Sequence, residues 1–147
     1  MEPDRPMVMI VEDDCVFRTL VGSALRQAGL FRVYAPEIDD WFEGVRATRP
    51  DALLLDLTLH GVDVVPRIPD LIAACPTTMV AALSARPAVQ SEAPTLEAGA
   101  FVYYEKRDAT LRRLSSHLET DLALFRRRLA GERIVVLPAS VRRPAVI

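Results

Sequence analysis

The run from Ala52 to Leu57, ALLLDL, constrains the fold of this chain more than any other stretch, because four apolar residues lead straight into one carboxylate. An unbroken apolar run of this length is typical of a strand that is buried on both faces of a parallel sheet. Asp56 cannot pack in such a core, so it should emerge at the carboxyl edge of the sheet, where open α/β sheets bind ligands. Taken alone, Asp56 is explained more simply as a helix cap or turn residue. The residues at the ends of the other strands are needed to choose between this role and a ligand-binding role.

The rest of the chain alternates between the two periodicities that distinguish strands from helices. Short apolar or alternating runs predict strands at 7–11, 30–35, 52–57, 77–83 and 101–104. Apolar residues at three-to-four spacing predict helices at 16–28, 38–48, 64–75, 88–98 and 108–130. This order predicts an α/β fold with a doubly wound, five-stranded parallel sheet and helices on both of its faces.

Capping residues and prolines predict where these helices begin, end or become irregular. Asp14 is placed to cap the first helix and Gly29 to end it. Pro66 and Pro69 should make the third helix begin late or irregularly, because proline is tolerated only in a first helical turn. Pro94 falls inside the fourth helix, so we expect that helix to be mobile or partly unwound.

Length, charge and cysteine content restrict the class of protein. A chain of 147 residues can form one domain with a substantial core, and its net charge of -2 names no partner. Cys15 and Cys75 lack disulfide or metal-ligand spacing, so we interpret them as free thiols in a reducing cytoplasm. No apolar run is long enough to span a bilayer, and the N-terminus does not resemble a signal peptide. We therefore expect a cytoplasmic protein without a membrane partner.

The predicted strands end in side chains that suit phosphoryl chemistry. These side chains are Glu12, Asp13, Asp14, Asp56, Ser84 and Lys106. Because parallel strands share one carboxyl edge, we expect them to lie close together, and clustered carboxylates repel each other unless a cation holds them. An all-oxygen set suits Mg²⁺, while a hydroxyl and an ammonium complete a phosphoryl-binding site. A carboxylate beside Mg²⁺ can also be the phosphoryl acceptor itself.

At these positions, about residues 6 to 122 resemble a response-regulator receiver domain of bacterial two-component signalling. The matching motifs are Val11-Glu12-Asp13-Asp14 with Arg18, Asp56-Leu57-x-Leu59 with Asp63, Ser84-Ala85, and Ala98-Gly99-Ala100 followed by Tyr103 and Lys106. The separations from Asp13 to Asp56, from Ser84 to Lys106 and from Tyr103 to Lys106 are also those of the family. The resemblance implies the flavodoxin-like (βα)5 receiver fold.

The resemblance implies a role for each acidic residue. Asp56 would accept a phosphoryl group from a histidine kinase or a phosphotransfer protein. Asp13 and Asp56 would bind Mg²⁺ directly, together with the main-chain carbonyl of Thr58. Glu12 would act through a metal-bound water, and Asp14 would serve only as the helix cap.

The resemblance also implies how phosphorylation would be sensed. Lys106 would pair with the phosphoryl group, Ser84 would move to donate a hydrogen bond to it, and Tyr103 would swing inward. The surface of the fourth helix, fifth strand and fifth helix would then change for a downstream protein target. Chemistry would be limited to self-phosphorylation and slow self-dephosphorylation, so we expect a signalling protein and not an enzyme.

Three positions depart from the family pattern. His60 and Val64 stand where Pro and Gly are usual, and Arg107 stands where a Pro in a cis peptide usually follows the lysine. Because non-proline cis bonds are costly, we expect a trans bond between Lys106 and Arg107, which can shift Lys106. These departures keep open a second hypothesis, a phosphate-independent interaction module that has the fold but no longer switches.

Four other residues have a simple and a functional interpretation. His60 is either an exposed loop histidine, the simpler interpretation, or a group that titrates beside Asp56. We expect His117 to be exposed and Trp41 to be buried or half-buried packing. Arg86 lies two residues after Ser84, where the family often tunes phosphate lifetime.

The chain continues past the matched region. Apolar spacing predicts one helix at 108–130, about 34 Å long, followed by a short strand at 134–137. We expect residues 1–122 to form the receiver domain and residues 123–147 a C-terminal helix extension and arm. An exposed strand of this kind needs a partner, which favours a twofold homodimer through the arm. The alternative is that the arm folds back on its own domain.

The basic residues of this end do not by themselves indicate nucleic-acid binding. They comprise Arg126-Arg127-Arg128 and Arg142-Arg143. No helix-turn-helix follows and no aromatic residues lie between them, so we expect no nucleic-acid partner. The expected protein is a stand-alone response regulator, and the alternative is a receiver fragment of a larger hybrid kinase or regulator.

Overall fold

The predicted doubly wound α/β fold is confirmed in a computed structural model, which describes residues 4–37 and 39–138. The strands are β1 (Met7–Val11), β2 (Arg32–Tyr34), β3 (Ala52–Leu55), the hairpin strands β4 (Thr58–Leu59) and β5 (Val62–Asp63), β6 (Met79–Ser84) and β7 (Val102–Glu105). All but the two hairpin strands form one parallel sheet, in the order β2-β1-β3-β6-β7. The helices are α1 (Cys15–Ala28), α2 (Trp41–Thr48), α3 (Ile68–Ala74), α4 (Ala88–Ala98), α5 (Asp108–Arg112) and α6 (Leu114–Leu129).

Strand β3 lies at the centre of the sheet, and its residues are buried on both faces, as the run before Asp56 predicts. Leu54 points into a core cluster with α1 and α6, where it meets Leu25 and Leu118. Leu53 points to the opposite face, into a second cluster that contains Leu71 of α3. Burying one such leucine contributes about 1.5–3 kcal/mol, so β3 is a main source of the stability of the sheet.

Local signals set the first helix. The Asp14 carboxylate accepts hydrogen bonds from the main-chain N–H groups of Val16 and Phe17, at 3.0 and 3.1 Å. These bonds satisfy two of the donors that a helix N-terminus leaves free. Gly29 ends α1 with a φ of 71°, a left-handed conformation that glycine adopts without strain. Both capping predictions are confirmed.

The two prolines of the third helical segment act as expected. A 3₁₀ turn covers Val65–Arg67, and α3 begins only at Ile68 with Pro69 in its first turn. The expectation for the fourth helix was wrong with respect to unwinding, because α4 is continuous through Pro94. Contacts at both ends explain this: the Glu105 side chain accepts from the N–H of Ala88, and Gly99 ends the helix.

The single helix that was expected at 108–130 is two helices. Arg113 leaves the helical conformation, with φ -113° and ψ 9°, and separates α5 from α6. The break leaves Leu114 fully buried in the core while Leu111 packs at its margin. Since α6 has 16 residues, it is about 24 Å long, not 34 Å.

The short strand that was expected at 134–137 is also absent, since residues 132–138 have no regular secondary structure. Arg128 donates a hydrogen bond to the carbonyl of Ile134 at 2.7 Å, and Val136 contacts the core cluster on the α6 side of the sheet. This part of the arm therefore folds back on its own domain. Residues 139–147 of the expected arm lie outside the described residues.

The remaining expectations concern single side chains. Trp41 is half-buried against the core, as expected, and Cys15 and Cys75 are both free. His117 is half-buried and not exposed, because its ring lies 6.4 Å from the ring of Tyr104. Among the described residues, no helix has both the length and the apolar character that crossing a membrane requires.

Candidate functional site

Three carboxylates meet at the carboxyl edge of the sheet. Glu12 and Asp13 follow β1, and Asp56 follows β3, which pairs directly with β1. Each offers an oxygen, and these oxygens lie within 4.8 Å of one another. Glu12 and Asp56 are only 2% and 8% exposed, whereas Asp13 faces solvent. Asp56 is therefore more than a helix cap or turn residue, since it also belongs to an acidic cluster.

Lys106 supplies a positive charge to this cluster. Its Nζ donates a hydrogen bond to Glu12 Oε2 at 2.7 Å and lies 3.4 Å from Asp56 Oδ2. The ammonium also lies 4.5 Å from the centre of the Phe17 ring, whose face attracts a cation. The main-chain N–H of Lys106 donates to the carbonyl of Ser84 at 2.8 Å, which fixes the backbone at the end of β7.

The pKa of Glu12 is set mainly by burial of its carboxyl group. Burial raises the pKa of the Glu12 carboxyl above its ordinary value, and the charge of Asp56 raises it further. The hydrogen bond from Lys106 opposes this and lowers the pKa without cancelling the rise. Three carboxylates thus share one ammonium, and their oxygen donors fit a hard divalent cation such as Mg²⁺.

Asp13 has the opposite electrostatic character. The main-chain N–H of His60 donates to Asp13 Oδ2 at 2.9 Å, and this bond lowers the pKa of Asp13 below its ordinary value. The imidazole Nδ1 of His60 lies 4.0 Å from the same oxygen. His60 is exposed in the loop, with a φ of 50°. The sequence-based prediction missed this contact with Asp13. The available signal was that His60 replaces the usual proline, because histidine has a main-chain N–H group and proline does not.

The hairpin of β4 and β5 follows Asp56 directly and was expected to be a loop. The main-chain N–H of Thr58 donates to Asp56 Oδ1 at 3.3 Å, and Thr58 pairs with Asp63 across the hairpin. Asp63 Oδ1 also accepts from the N–H of Val65 at the start of the 3₁₀ turn. One carboxylate oxygen of Asp56 is therefore held by the hairpin and the other lies near Lys106.

The two expected switch residues meet at Arg86. Ser84 is buried at the end of β6, and its Oγ accepts a hydrogen bond from the main-chain N–H of Arg86 at 3.0 Å. The Tyr103 hydroxyl donates to the main-chain carbonyl of Arg86 at 2.7 Å, and the Tyr103 residue is 1% exposed. Tyr103 therefore already points inward in this structure.

Two arginines near the site make contacts that sequence reasoning did not find. Arg18 donates to the main-chain carbonyl of Glu12 at 2.9 Å. The Arg86 Nη2 atom donates to the Leu57 carbonyl at 3.2 Å, to Thr58 Oγ1 at 2.8 Å and to Asp63 Oδ1 at 3.2 Å. In the sequence, only the position of Arg86 two residues after Ser84 indicated a role. Its hydrogen-bond partners could not be predicted, because a long arginine side chain can reach many acceptors.

Arg107, which replaces the usual proline, binds the residue on the other side of the lysine. Its Nε lies 3.2 Å from Glu105 Oε2, and Glu105 Oε1 accepts from the N–H of Ala88 at 2.8 Å. The peptide bond between Lys106 and Arg107 is trans, as expected, since the described residues contain no cis peptide. Lys106 nevertheless reaches the acidic cluster, so the replacement does not remove it from the site.

Comparison with known proteins agrees with this arrangement. The family model of the response regulator receiver domain matches residues 8–119. The transcriptional regulatory protein CseB of Streptomyces coelicolor is 39% identical over 106 residues, covering 70% of this chain and 44% of CseB. PrrA of Mycobacterium leprae, also named a transcriptional regulatory protein, is 33% identical over 144 residues, covering 95% of this chain and 60% of PrrA. The chain belongs to the response regulator receiver domain family.

A solved structure with the same fold comes from a response regulator of Thermotoga maritima. It superposes with a TM-score of 0.68 at 24% identity, covering 80% of this chain and 98% of that one. The chain spans 44% and 60% of the length of the two curated relatives. The family comparison thus defines the class of signalling domain, while the output of the whole protein is a separate question.

Proposed function

We propose that this receiver accepts a phosphoryl group on Asp56 from a histidine kinase or a phosphotransfer protein. The observation that carries the proposal is the position of the buried Asp56 carboxylate in an acidic cluster, with Lys106 3.4 Å from it. A carboxylate held in this way can attack phosphorus while the neighbouring ammonium offsets the charge of the phosphoryl oxygens.

The proposed metal ligands are the side chains of Asp13 and Asp56 and the main-chain carbonyl of Thr58, with Glu12 acting through a water molecule. The three carboxylate oxygens lie close enough to surround one ion. When bound, Mg²⁺ would neutralise charge on the phosphoryl oxygens and on the acids. Burial and, to a smaller extent, the charge of Asp56 raise the pKa of Glu12, and a bound cation would oppose both effects by stabilising the carboxylate.

The transfer step needs one nucleophile and one leaving group. An oxygen of Asp56 attacks phosphorus as the bond from phosphorus to the donor nitrogen or oxygen breaks, and an acyl phosphate forms. Lys106 then pairs with the phosphoryl oxygens. Hydrolysis of the acyl phosphate by water returns Asp56 and inorganic phosphate, so the domain carries out only its own phosphorylation and dephosphorylation.

The proposed switch uses Ser84 and Tyr103. Ser84 would turn its hydroxyl from Arg86 toward the phosphoryl group, and the inward position of Tyr103 would become the favoured one. The face formed by α4, β7 and the α5–α6 segment would present the change to a downstream protein. We place this activity in the cytoplasm, in keeping with the family.

A second candidate function is a phosphate-independent interaction module. One observation favours it: Tyr103 is buried and its hydroxyl donates to the Arg86 carbonyl, a contact in which Asp56 takes no part. A receiver that holds this position constitutively could bind its partner without phosphorylation. Both candidates share the fold and differ in whether Asp56 is used.

The output beyond the receiver is also a proposal. Two curated relatives are named transcriptional regulators and are longer than this chain, which supports a role in regulating transcription within a longer protein. The expectations of a stand-alone regulator and of no nucleic-acid partner remain predictions. The division into a receiver at 1–122 and an extension at 123–147 also remains a proposal, supported by the end of the family match at residue 119.

Intact-protein mass spectrometry tests the proposed function. The wild type and Asp56→Asn are incubated with Mg²⁺ and a small acyl-phosphate donor, with an EDTA control. A phosphoryl adduct on the wild type alone, lost with EDTA, is the expected result. If no adduct forms at any Mg²⁺ concentration or with a panel of kinases, the phosphate-independent module is the better description.

A further inference from the structure

Arg86 connects the two switch side chains to the hairpin that follows Asp56. Through its main chain it donates to Ser84 Oγ at 3.0 Å and accepts from the Tyr103 hydroxyl at 2.7 Å. Through its side chain it donates to Thr58 Oγ1 at 2.8 Å and to Asp63 Oδ1 at 3.2 Å. One residue therefore bonds to both switch residues and to the loop that carries the phosphoacceptor.

The inward position of Tyr103 depends on where the Arg86 carbonyl lies. Tyr103 is packed into the core cluster on the α3 and α4 side of the sheet. Burying a hydroxyl is unfavourable unless it finds a hydrogen-bond partner. The carbonyl of Arg86 is that partner, so a shift of the Arg86 backbone would remove the bond that compensates for burial of the phenol.

The side chain of Arg86 restrains its own backbone. Its Nη2 atom bonds to the main-chain carbonyl of Leu57 as well as to Thr58 and Asp63, and all three lie in the segment after β3. Asp63 is itself held in place, because it accepts from the N–H of Val65. The guanidinium is thus attached to an ordered part of the chain at several points.

We propose that Arg86 is a positioning residue that holds Tyr103 inward. Its guanidinium, anchored on Asp63 and Thr58, fixes the carbonyl to which Tyr103 donates. The state that phosphorylation would favour is then partly populated beforehand. This last consequence rests on the proposed function, whereas the link between Asp63 and Tyr103 does not.

The size of the effect follows from the exposure of the ion pair. The side chains of Arg86 and Asp63 are 32% and 55% exposed, so solvent screens their attraction. Pairs of this kind shift a two-state equilibrium by about two- to fivefold. A change of this size in the outward population of Tyr103 is measurable, while the fold would be unaffected.

The test uses ¹⁹F NMR of protein labelled with 3-fluorotyrosine, with the Tyr103 resonance assigned by Tyr103→Phe. Arg86→Met and Asp63→Asn each remove the charge attraction, and Asp63→Asn keeps an oxygen for the N–H of Val65. The matched control is Glu43→Gln, which breaks an exposed ion pair with Arg46, 3.0 Å long, on α2.

We expect the outward population of Tyr103 to rise about two- to fivefold in Arg86→Met and in Asp63→Asn. The double variant should give the same outward population as Arg86→Met alone, because Arg86→Met already removes the pair with Asp63 together with the bonds to Leu57 and Thr58. The control variant Glu43→Gln should have the same outward population of Tyr103 as the wild type. If Tyr103 keeps its wild-type resonance in Asp63→Asn, the proposal is wrong, and this variant decides the matter even if Arg86→Met fails to fold.

A second measurement separates this proposal from the proposed function. Beryllofluoride with Mg²⁺, a phosphoryl mimic, should bind both variants about two- to fivefold more weakly than it binds the wild type. Equal or tighter binding by the variants would overturn the proposal. If the wild type itself fails to bind beryllofluoride, the proposed function fails, while the ¹⁹F result still decides the role of Arg86.

Discussion

The ammonium of Lys106 donates a hydrogen bond to Glu12 Oε2 at 2.7 Å across 94 residues of sequence. The side chains are 15% and 3% exposed, so the pair is shielded from water. It joins the end of β7 to the end of β1, two strands that are not neighbours in the sheet. Asp56 follows β3, one of the two strands that lie between them, and its Oδ2 is 3.4 Å from Lys106, so this ion pair borders the proposed phosphoacceptor site.

Lys106→Met should destabilise the protein by about 2–3 kcal/mol at pH 7. The change leaves Glu12 and Asp56 buried without their ammonium, and breaking a buried pair is costly. The loss should be smaller at pH 5 than at pH 7, because the raised pKa of Glu12 makes its carboxylate easier to protonate as the pH falls. Urea unfolding at both pH values measures this. Arg107→Met, which breaks the more exposed pair with Glu105, should cost less than about 1 kcal/mol.

The raised pKa of Glu12 fixes the sign of a pH dependence. Above its ordinary pKa of 4.5, the unfolded chain releases this proton more readily than the folded chain does. The folded state is therefore favoured at low pH and loses stability as the pH rises through the folded pKa. The wild type should lose stability relative to Glu12→Gln between pH 4.5 and 7. If the difference in unfolding free energy between the wild type and Glu12→Gln stays constant over that range, the assignment of a raised pKa to Glu12 is wrong.

The effect of His60 on Asp13 can be isolated with two substitutions. His60→Gly keeps the N–H group and accepts the positive φ, so the pKa of Asp13 should stay below its ordinary 3.8. His60→Pro removes the donor, and its ring cannot adopt that φ, so the pKa of Asp13 should rise. Carboxyl ¹³C NMR titration measures both. Stability linked to Asp13 is present above pH 3.8 and is lost as the pH falls through the lower folded pKa. An identical Asp13 titration in both variants would show that the N–H group is not the cause.

Tyr104→Phe should destabilise the protein by about 1–3 kcal/mol. The Tyr104 hydroxyl donates to Asp121 Oδ2 at 2.5 Å, both residues are buried, and the change removes one partner of a buried carboxylate. Thermal or urea unfolding measures the loss. Tyr34→Phe is the matched control, since Tyr34 is exposed and its hydroxyl is available to water, and it should change stability by less than about 0.5 kcal/mol.

The arm prediction concerns oligomeric state. Val135 and Leu137 are 85% and 50% exposed beside the packed Val136, and they are candidates for contact with a second copy. If the arm forms a homodimer, light scattering should give twice the chain mass, and truncation after Gly131 should give a monomer. Truncation there removes the contact of Val136 with the core but keeps the contact between Phe101 and Phe125, so we expect the fold to be retained. If the full chain is a monomer, the homodimer prediction is wrong, and the arm contacts only its own domain.

The elements that sequence predicted well are those with a local cause. The apolar run of β3, the cap at Asp14 and the prolines at the start of α3 each act within a few residues, and the structure agrees with them. The break at Arg113 was missed because two helices and one helix give the same three-to-four spacing. The apolar run at 134–137 wrongly predicted a strand, because Val136 packs against its own domain in a segment without regular secondary structure.

In the candidate site, too, some features could be predicted from the sequence and others could not. Glu12, Asp56 and Lys106 could be placed together because parallel strands share a carboxyl edge, which is a property of topology. The network of Arg86 with Thr58, and the bond from His60 to Asp13, depend on rotamers and on the hairpin after β3. Sequence patterns do not determine those details, so the contacts that tune the site emerged only from the structure.

The most direct test of the phosphoacceptor is to locate the phosphoryl group within the chain. After incubation with Mg²⁺ and a small acyl-phosphate donor, borohydride reduces an aspartyl phosphate to homoserine, which peptide mass spectrometry detects. The proposed chemistry predicts homoserine at position 56 in the wild type, and no homoserine in Asp56→Asn or in the EDTA control. Homoserine at another aspartate, or none at position 56 while a cognate kinase is active, would contradict it.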